Sequence, residues 1–187
     1  ETFTRLHTKE HIIDLIHLYA IKLTEIYNII DKTNINVYVL EKSNINKLEK
    51  ITKDGIHLIF TISMDKSAQS LLRKKIIENI GNMWDNLPIT NSYEDMIDEG
   101  VCKGFVNWQM YGSKKPGNET YKLSYYYTLN YNKEEDLFDL KENSIEKLDI
   151  KQHLNLISAR NNNHVKFDYI DNEILLKNLN FEEEEIN

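Results

Sequence analysis

Lys53-Asp54-Gly55-Ile56-His57-Leu58-Ile59-Phe60 is the stretch on which the reading of the fold turns. A Lys-Asp-Gly turn feeds straight into a β-type run, and the second residue of that run is a histidine among Ile, Leu, Ile and Phe. Alternation puts Ile56, Leu58, Phe60 and Ile62 on one face, and His57, Ile59 and Thr61 on the other. The first face is expected to pack on helices. The second is expected to stay partly open and to present His57.

Working outward, residues 8–30 read as an amphipathic helix. Thr8 is its N-cap, Glu10 lies in its first turn, and Ile12, Ile16, Tyr19, Leu23, Ile26 and Ile30 form its apolar stripe. His7 and His11 have a helical metal-ligand spacing, but no third ligand accompanies them, and ordinary surface histidines are the better reading. Residues 35–41 read as a strand. Asp65 caps a second helix over 66–85, with Ala68, Leu72, Ile76, Ile80 and Met83 inward and Arg73, Lys74 and Lys75 on a solvated face. Residues 87–104 are irregular. Strands are expected at 105–111, presenting Asn107 and Gln109, and at 121–129. Beyond residue 130 come an acidic link, a helix near 144–159, a strand-like pair at 164–170 and 173–177, and an acidic tail.

The order helix, strand, strand, helix, strand becomes β-α-β-β-α-β if one strand precedes residue 1. The expected fold class is therefore α+β, an RRM-like split βαβ antiparallel sheet with two helices on one face. A small α+β C-terminal extension follows. The expected domains are 1–130, incomplete at its N-terminus, and 131–187, an acidic extension or linker.

A chain of 187 residues suffices for one domain with a real core. Its net charge of -7 argues against a whole-surface nucleic-acid footprint. The acid is concentrated after residue 133, however, whereas Lys103, Lys114, Lys115 and Lys122 face only Glu119 between them. Such a local basic strip suits a nucleoside triphosphate or a short stretch of strand. The single Cys102 excludes an internal disulfide and points to a reducing, intracellular setting. No apolar run approaches the ~20 residues that a membrane span needs. The start at Glu1-Thr2-Phe3, without Met, reads as an excised fragment or an internal segment.

Nucleotidyl transfer needs carboxylates for a divalent metal, donors for the triphosphate and a rigid sheet that holds them in register. His57 could bond a phosphate oxygen; the competing reading is an ordinary sheet histidine bonded to a neighbour. Asp98 follows Ile97 as an acid entering a strand, with Glu94, Asp95 and Glu99 as competitors. Ser113, Lys114 and Lys115 sit in the Gly-flanked turn Gly112-Ser113-Lys114-Lys115-Pro116-Gly117, where backbone N–H, hydroxyl and ammonium groups gather as phosphate oxygens require. Lys122 lies just beyond. The turn is not a P-loop, since the Gly-x4-Gly-Lys-Ser/Thr order is absent. The tyrosines of 121–129 could stack bases, although half of them are expected in the core.

Lys-Asp-Gly-Ile-His (53–57), Ile97-Asp98, Asn-Trp-Gln-Met-Tyr-Gly-Ser-Lys-Lys-Pro (107–116) and Tyr-Lys-Leu (121–123) together resemble the archaeo-eukaryotic primase superfamily. The likeness is to the branch at the N-terminus of primase-helicases of nucleocytoplasmic large DNA viruses. It covers roughly residues 1–130, and Ile157-Ser158-Ala159-Arg160 looks like the tail that follows. The resemblance implies that Gly55-Ile56-His57 is the small-x-His motif, with His57 on the nucleotide phosphate. It implies that Ile97-Asp98 is the hydrophobic-Asp motif, with Asp98 as a ligand of Mg²⁺ or Mn²⁺. The family's Asp-x-Asp pair should lie just before Thr8, and residues 1–7 contain none. By this likeness the chain is a DNA primase domain using nucleoside triphosphates and a single-stranded DNA template. Its partner would be a helicase domain of the same polypeptide, at a viral replication site in host cytoplasm or nucleus. The alternative is a catalytically inactive, primase-derived module that binds nucleic acid or docks a helicase.

Overall fold

The computed structural model describes residues 4–50, 52–104, 108–158 and 164–186. In chain order the elements are α1 (Lys9–Thr24), β1 (Asn34–Glu41), β2 (Asn46–Lys47), β3 (Thr52–Lys53), β4 (Ile56–Phe60), α2 (Lys66–Met83), α3 (Tyr93–Met96), α4 (Glu99–Lys103), β5 (Lys122–Asn132), β6 (Leu137–Asn143), α5 (Ile150–His153) and α6 (Glu173–Ile186). The fold is α+β, with a four-stranded antiparallel sheet, as expected. The chain divides into a sheet unit and a helical unit. The sheet unit takes the segment ending at Arg5, Asp31–Ile62 and Gln109–Val165; the helical unit takes Leu6–Ile30, Ser63–Trp108 and the segment from Lys166.

In the sheet unit the strand order is β4-β1-β5-β6, and every neighbour is antiparallel. β1 is central, which explains its apolar sequence: Ile35, Val37, Tyr38, Val39 and Leu40 are all fully buried, so both of its faces are covered. Its register with β4 pairs Leu40 with His57 and Tyr38 with Ile59. Tyr127, Leu129 and Tyr131 of β5 are buried in alternation. β5 runs to Asn132 and turns through 133–136 into β6, with Asp136 at φ 51°. The acidic link is thus a hairpin turn, in which Asn132 Oδ1 accepts from Glu134 N at 3.1 Å.

The expected open face of β4 is the better covered one. Ile59 and Thr61 are buried, whereas Ile56, Leu58 and Phe60 are half-buried. The cause lies after β6. The chain returns over the Tyr38 side of the sheet and sets His153 edge-on against Tyr38 and Tyr126, with centroids 5.8 and 5.5 Å away. Ile157 is buried on the same return. The expected helix at 144–159 shrinks to α5 and flanking turns, while Ala159 and Arg160 lie outside the described residues.

The expected strand at 105–111 does not form over 108–111; residues 105–107, including Asn107, lie outside the described residues. Turn and hairpin-like bonds shape this stretch instead. Ser113 N donates to Met110 O at 3.0 Å, and Gly112 N donates to Tyr121 O at 2.8 Å. The strand that follows α2 is β5.

In the helical unit α2 packs against α1, α3, α4 and α6. Thr8 caps α1 through a capping box with His11, so His11 Nδ1 takes the Thr8 N–H at 3.0 Å, consistent with a capping rather than a metal-binding role. The basic trio of α2 is engaged rather than merely solvated. Arg73 donates to Ile97 O and Glu94 O, both at 2.7 Å. Lys75 pairs with Glu25 at 2.6 Å, and Lys74 pairs with Glu182. Glu182 is buried and also accepts from Ser70 Oγ at 2.6 Å. The expected strand at 173–177 is instead the first turn of α6. Asn172 Oδ1 caps it by accepting from Ile174 N and Leu175 N at 2.9 and 3.0 Å. Leu175, Leu179 and Glu182 then recur on one buried face with helical spacing.

Asp65 caps α2 by accepting from Ala68 N at 2.8 Å, and it also accepts from Ser67 and Tyr169. Asp65→Ala is expected to cost about 1–2 kcal/mol, the upper range for a cap, read from urea midpoints. Burial pushes the Asp65 carboxyl up, but the bonds from Tyr169, Ala68 and Ser67 outweigh it and hold its pKa below the usual 3.8. The folded pKa is depressed, so this stabilisation is present above the unfolded value and is lost as pH falls through the folded one. The gap between wild type and Asp65→Ala should therefore narrow in acid.

Candidate functional site

The sheet unit carries five of the six site residues expected from sequence: His57, Ser113, Lys114, Lys115 and Lys122. Asp98 belongs to the helical unit.

His57 is held on three sides. β4 fixes its backbone opposite Leu40. Its Nδ1 lies 2.8 Å from the carbonyl oxygen of Gln109, so that nitrogen carries the proton and donates. Its ring stacks on Tyr121, with centroids 3.9 Å apart and planes 16° off parallel. The turn leading into β4 is clamped as well. Arg5 grips the Asp54 carboxylate with two bonds of 2.7 and 2.9 Å, donates to Lys42 O at 2.7 Å, and lies 3.3 Å from the buried Glu41. The hydrogen bond to Asp54 leads the causes that raise the Arg5 pKa. Gly55 fits a close approach: a Cβ there would lie 2.9 Å from the Tyr121 hydroxyl.

The basic turn is built on two left-handed glycines, Gly112 and Gly117, at φ 75° and 74°. Lys114 and Lys115 are exposed on it, with no ion-pair partner among the described residues. Ser113 Oγ donates its proton to Met110 O at 2.7 Å, which leaves it as an acceptor. The Lys122 ammonium donates to Ser43 Oγ at 3.1 Å. The Ser43 loop is tied down by Asn44, whose backbone N–H and side-chain amide donate to Glu119 at 2.9 and 2.7 Å. Tyr121 is buried, and burial, with Asp54 next, raises its phenol pKa.

Asp98 is exposed and does not enter a strand. It is the N-cap of α4, with Oδ1 accepting from Gly100 N at 2.8 Å. Arg73 pins the preceding Ile97 carbonyl. Among the described residues, no group of three His, Cys, Asp or Glu is placed to hold a metal ion.

Sequence reasoning missed Tyr121, the Gln109 carbonyl and Arg5. Tyr121 stood within the Tyr-Lys-Leu stretch of the family likeness, but only as one tyrosine of a strand whose rings could stack bases or enter the core. The other two contacts depend on the long-range fold and leave no local signal.

No helix among the described residues is long and apolar enough to cross a membrane. No curated protein matches the chain. Residues 1–127 match the family described as the C962R protein N-terminal AEP domain. This span is most of the chain and contains the His57 strand, the Asp98 cap and the basic turn. The chain therefore belongs to the C962R-type archaeo-eukaryotic primase domains, a primase-type family of viral proteins.

Proposed function

We propose that this chain is the primase domain of a viral replicative primase-helicase, a nucleotidyltransferase that makes primers on single-stranded DNA. His57, Ser113, Lys114, Lys115 and Lys122 hold the phosphates of an incoming nucleoside triphosphate. The nucleotide and template are those that the family implies, and the helicase is the partner within the polypeptide, working at the viral replication site. Residues 1–130 are the family core. Residues 131–187 are an extension that adds β6 beside β5 and α6 beside α2. Asp98 is the carboxylate proposed for Mg²⁺ or Mn²⁺.

The observation that carries this reading is the shared setting of His57 and the Gly112–Gly117 turn. Gln109 and Tyr121, on either side of that turn, both contact the His57 ring. What the residues do is bind and orient. His57 offers a fixed ring, the two exposed lysines neutralise phosphate charge, and the glycine backbone lets oxygens approach. Lys114→Ala and Lys115→Ala are each expected to weaken triphosphate binding by about 0.5–1 kcal/mol, and less at high salt, because both ammonium groups are exposed. Titration calorimetry at two salt concentrations checks this.

The second reading is a non-catalytic module of the same ancestry that binds nucleotide or strand. The absence of a three-ligand cluster among the described residues favours it. A primer-synthesis assay on single-stranded DNA with Mn²⁺, using the complete gene product, separates the two. Synthesis that His57→Ala and Asp98→Ala both abolish supports the enzyme. Triphosphate binding without synthesis supports the module. Synthesis untouched by both substitutions overturns the site.

A further inference from the structure

We propose that Tyr121 is a positioning residue that locks the imidazole of His57 and ties it to the Gly112–Gly117 turn. The inference rests on the reading of His57 as a phosphate-binding group and extends it to a side chain that does not itself meet the phosphate.

Three independent features give Tyr121 this role. The first is the ring stack, 3.9 Å between centroids at 16°, which is close and nearly parallel. With the Gln109 carbonyl on Nδ1 at 2.8 Å, it leaves the imidazole one plane and one tautomer. The second is the backbone of Tyr121. Its carbonyl accepts from Gly112 N at 2.8 Å, and its N–H donates to Ser113 O at 3.2 Å. One residue therefore holds the basic turn through its main chain and the histidine through its side chain. The third is Gly55. The Tyr121 hydroxyl fills the space where a Cβ of residue 55 would stand, 2.9 Å away. A small residue two places before His57 is thus a requirement of the Tyr121 ring, not only of the turn. The Lys42 ammonium, 5.1 Å from the centroid, adds a cation that favours the ring where it lies.

A rigid, single-tautomer imidazole binds a phosphate oxygen without first paying to be ordered, and this is how a neighbour that never touches the ligand changes affinity. Tyr121→Phe keeps the ring and the stack. Tyr121→Leu removes the aromatic face but keeps both backbone bonds. Gly55→Ala keeps the tyrosine and pushes its hydroxyl, so it shifts the stack without deleting it.

The experiment combines imidazole nitrogen NMR with titration of a non-hydrolysable nucleoside triphosphate, on wild type, Tyr121→Phe, Tyr121→Leu, Gly55→Ala, His57→Ala and the double variant Tyr121→Leu/His57→Ala. The expected result is one Nδ1-protonated tautomer of His57 in wild type and Tyr121→Phe, and averaged tautomers in Tyr121→Leu and Gly55→Ala. Triphosphate affinity should fall about tenfold in Tyr121→Leu, the size of one hydrogen bond to a charged group. It should fall no further when Tyr121→Leu is added to His57→Ala, because the two act as one unit. An unchanged His57 tautomer in both Tyr121→Leu and Gly55→Ala overturns the positioning role, as do affinity losses that add fully in the double variant. Wild type that binds no triphosphate, or His57→Ala that binds like wild type, overturns the phosphate reading instead. The tautomer comparison then still decides whether Tyr121 positions the ring.

Discussion

Tyr38→Ala is expected to destabilise the sheet unit by about 3–5 kcal/mol, the range for deleting a fully buried aromatic ring. Tyr38 is inaccessible on the central strand. Its ring stacks on Tyr126 across the ladder at 4.8 Å and 5°. Its hydroxyl lies 2.6 Å from His153 Nδ1. Burial raises the Tyr38 pKa well above its usual value, with Tyr126 adding to it, so the hydroxyl stays neutral at ordinary pH. Tyr38→Phe keeps the stack and loses the hydroxyl's interactions with His153 and Tyr126, for about 1–2 kcal/mol. His153→Ala should share the hydroxyl's contribution, so the double variant Tyr38→Phe/His153→Ala should cost less than the sum of the singles. Urea denaturation of the four variants checks this. A Tyr38→Ala loss no larger than that of Tyr38→Phe would mean that the return after β6 does not cover this face.

The second large effect is expected at His57. His57→Ala should weaken triphosphate binding by about 1.5–3 kcal/mol, the value of a hydrogen bond to a charged partner, or roughly 10- to 150-fold in Kd. The loss should exceed that of either turn lysine, because the histidine is ordered in advance by Gln109 and Tyr121 and the lysines are exposed. Thermal melting should show that the variant still folds. The contrast between the small effect at Lys114 or Lys115 and the large one at His57 separates a built site from a diffuse basic surface.

Much of the fold was legible because local chemistry agreed with the outcome. Thr8 and Asp65 cap the two long helices as expected, and the β1 and β4 stretches became strands. Failure came where two patterns compete or where pairing is remote. Ile174-Leu175-Leu176 suits a strand or a helix, and the Asn172 cap decided for the helix. Residues 108–111 carried strand alternation, yet turn bonds around Met110 and Gly112 shape them instead. The openness of the His57 face depended on a return from residues 144–158, more than a hundred positions after the face begins at Asn36. Within the candidate site, His57 and the basic turn stood out as residue types. The clamp by Arg5 and the stack on Tyr121 are contacts between distant segments, which no window of sequence displays. Asp98 was placed at the start of a strand and proved to be a helix cap, since a carboxylate followed two residues on by a free N–H serves either setting.

The central claim is that His57 and the Gly112–Gly117 turn receive one triphosphate together. The most direct measurement is a titration of the ¹⁵N-labelled chain with a non-hydrolysable nucleoside triphosphate, followed through backbone amides and the His57 ring. The account predicts shifts at residues 55–57 and 112–115 that saturate along one binding curve. Shifts confined to other segments, or separate curves for the two stretches, would contradict it.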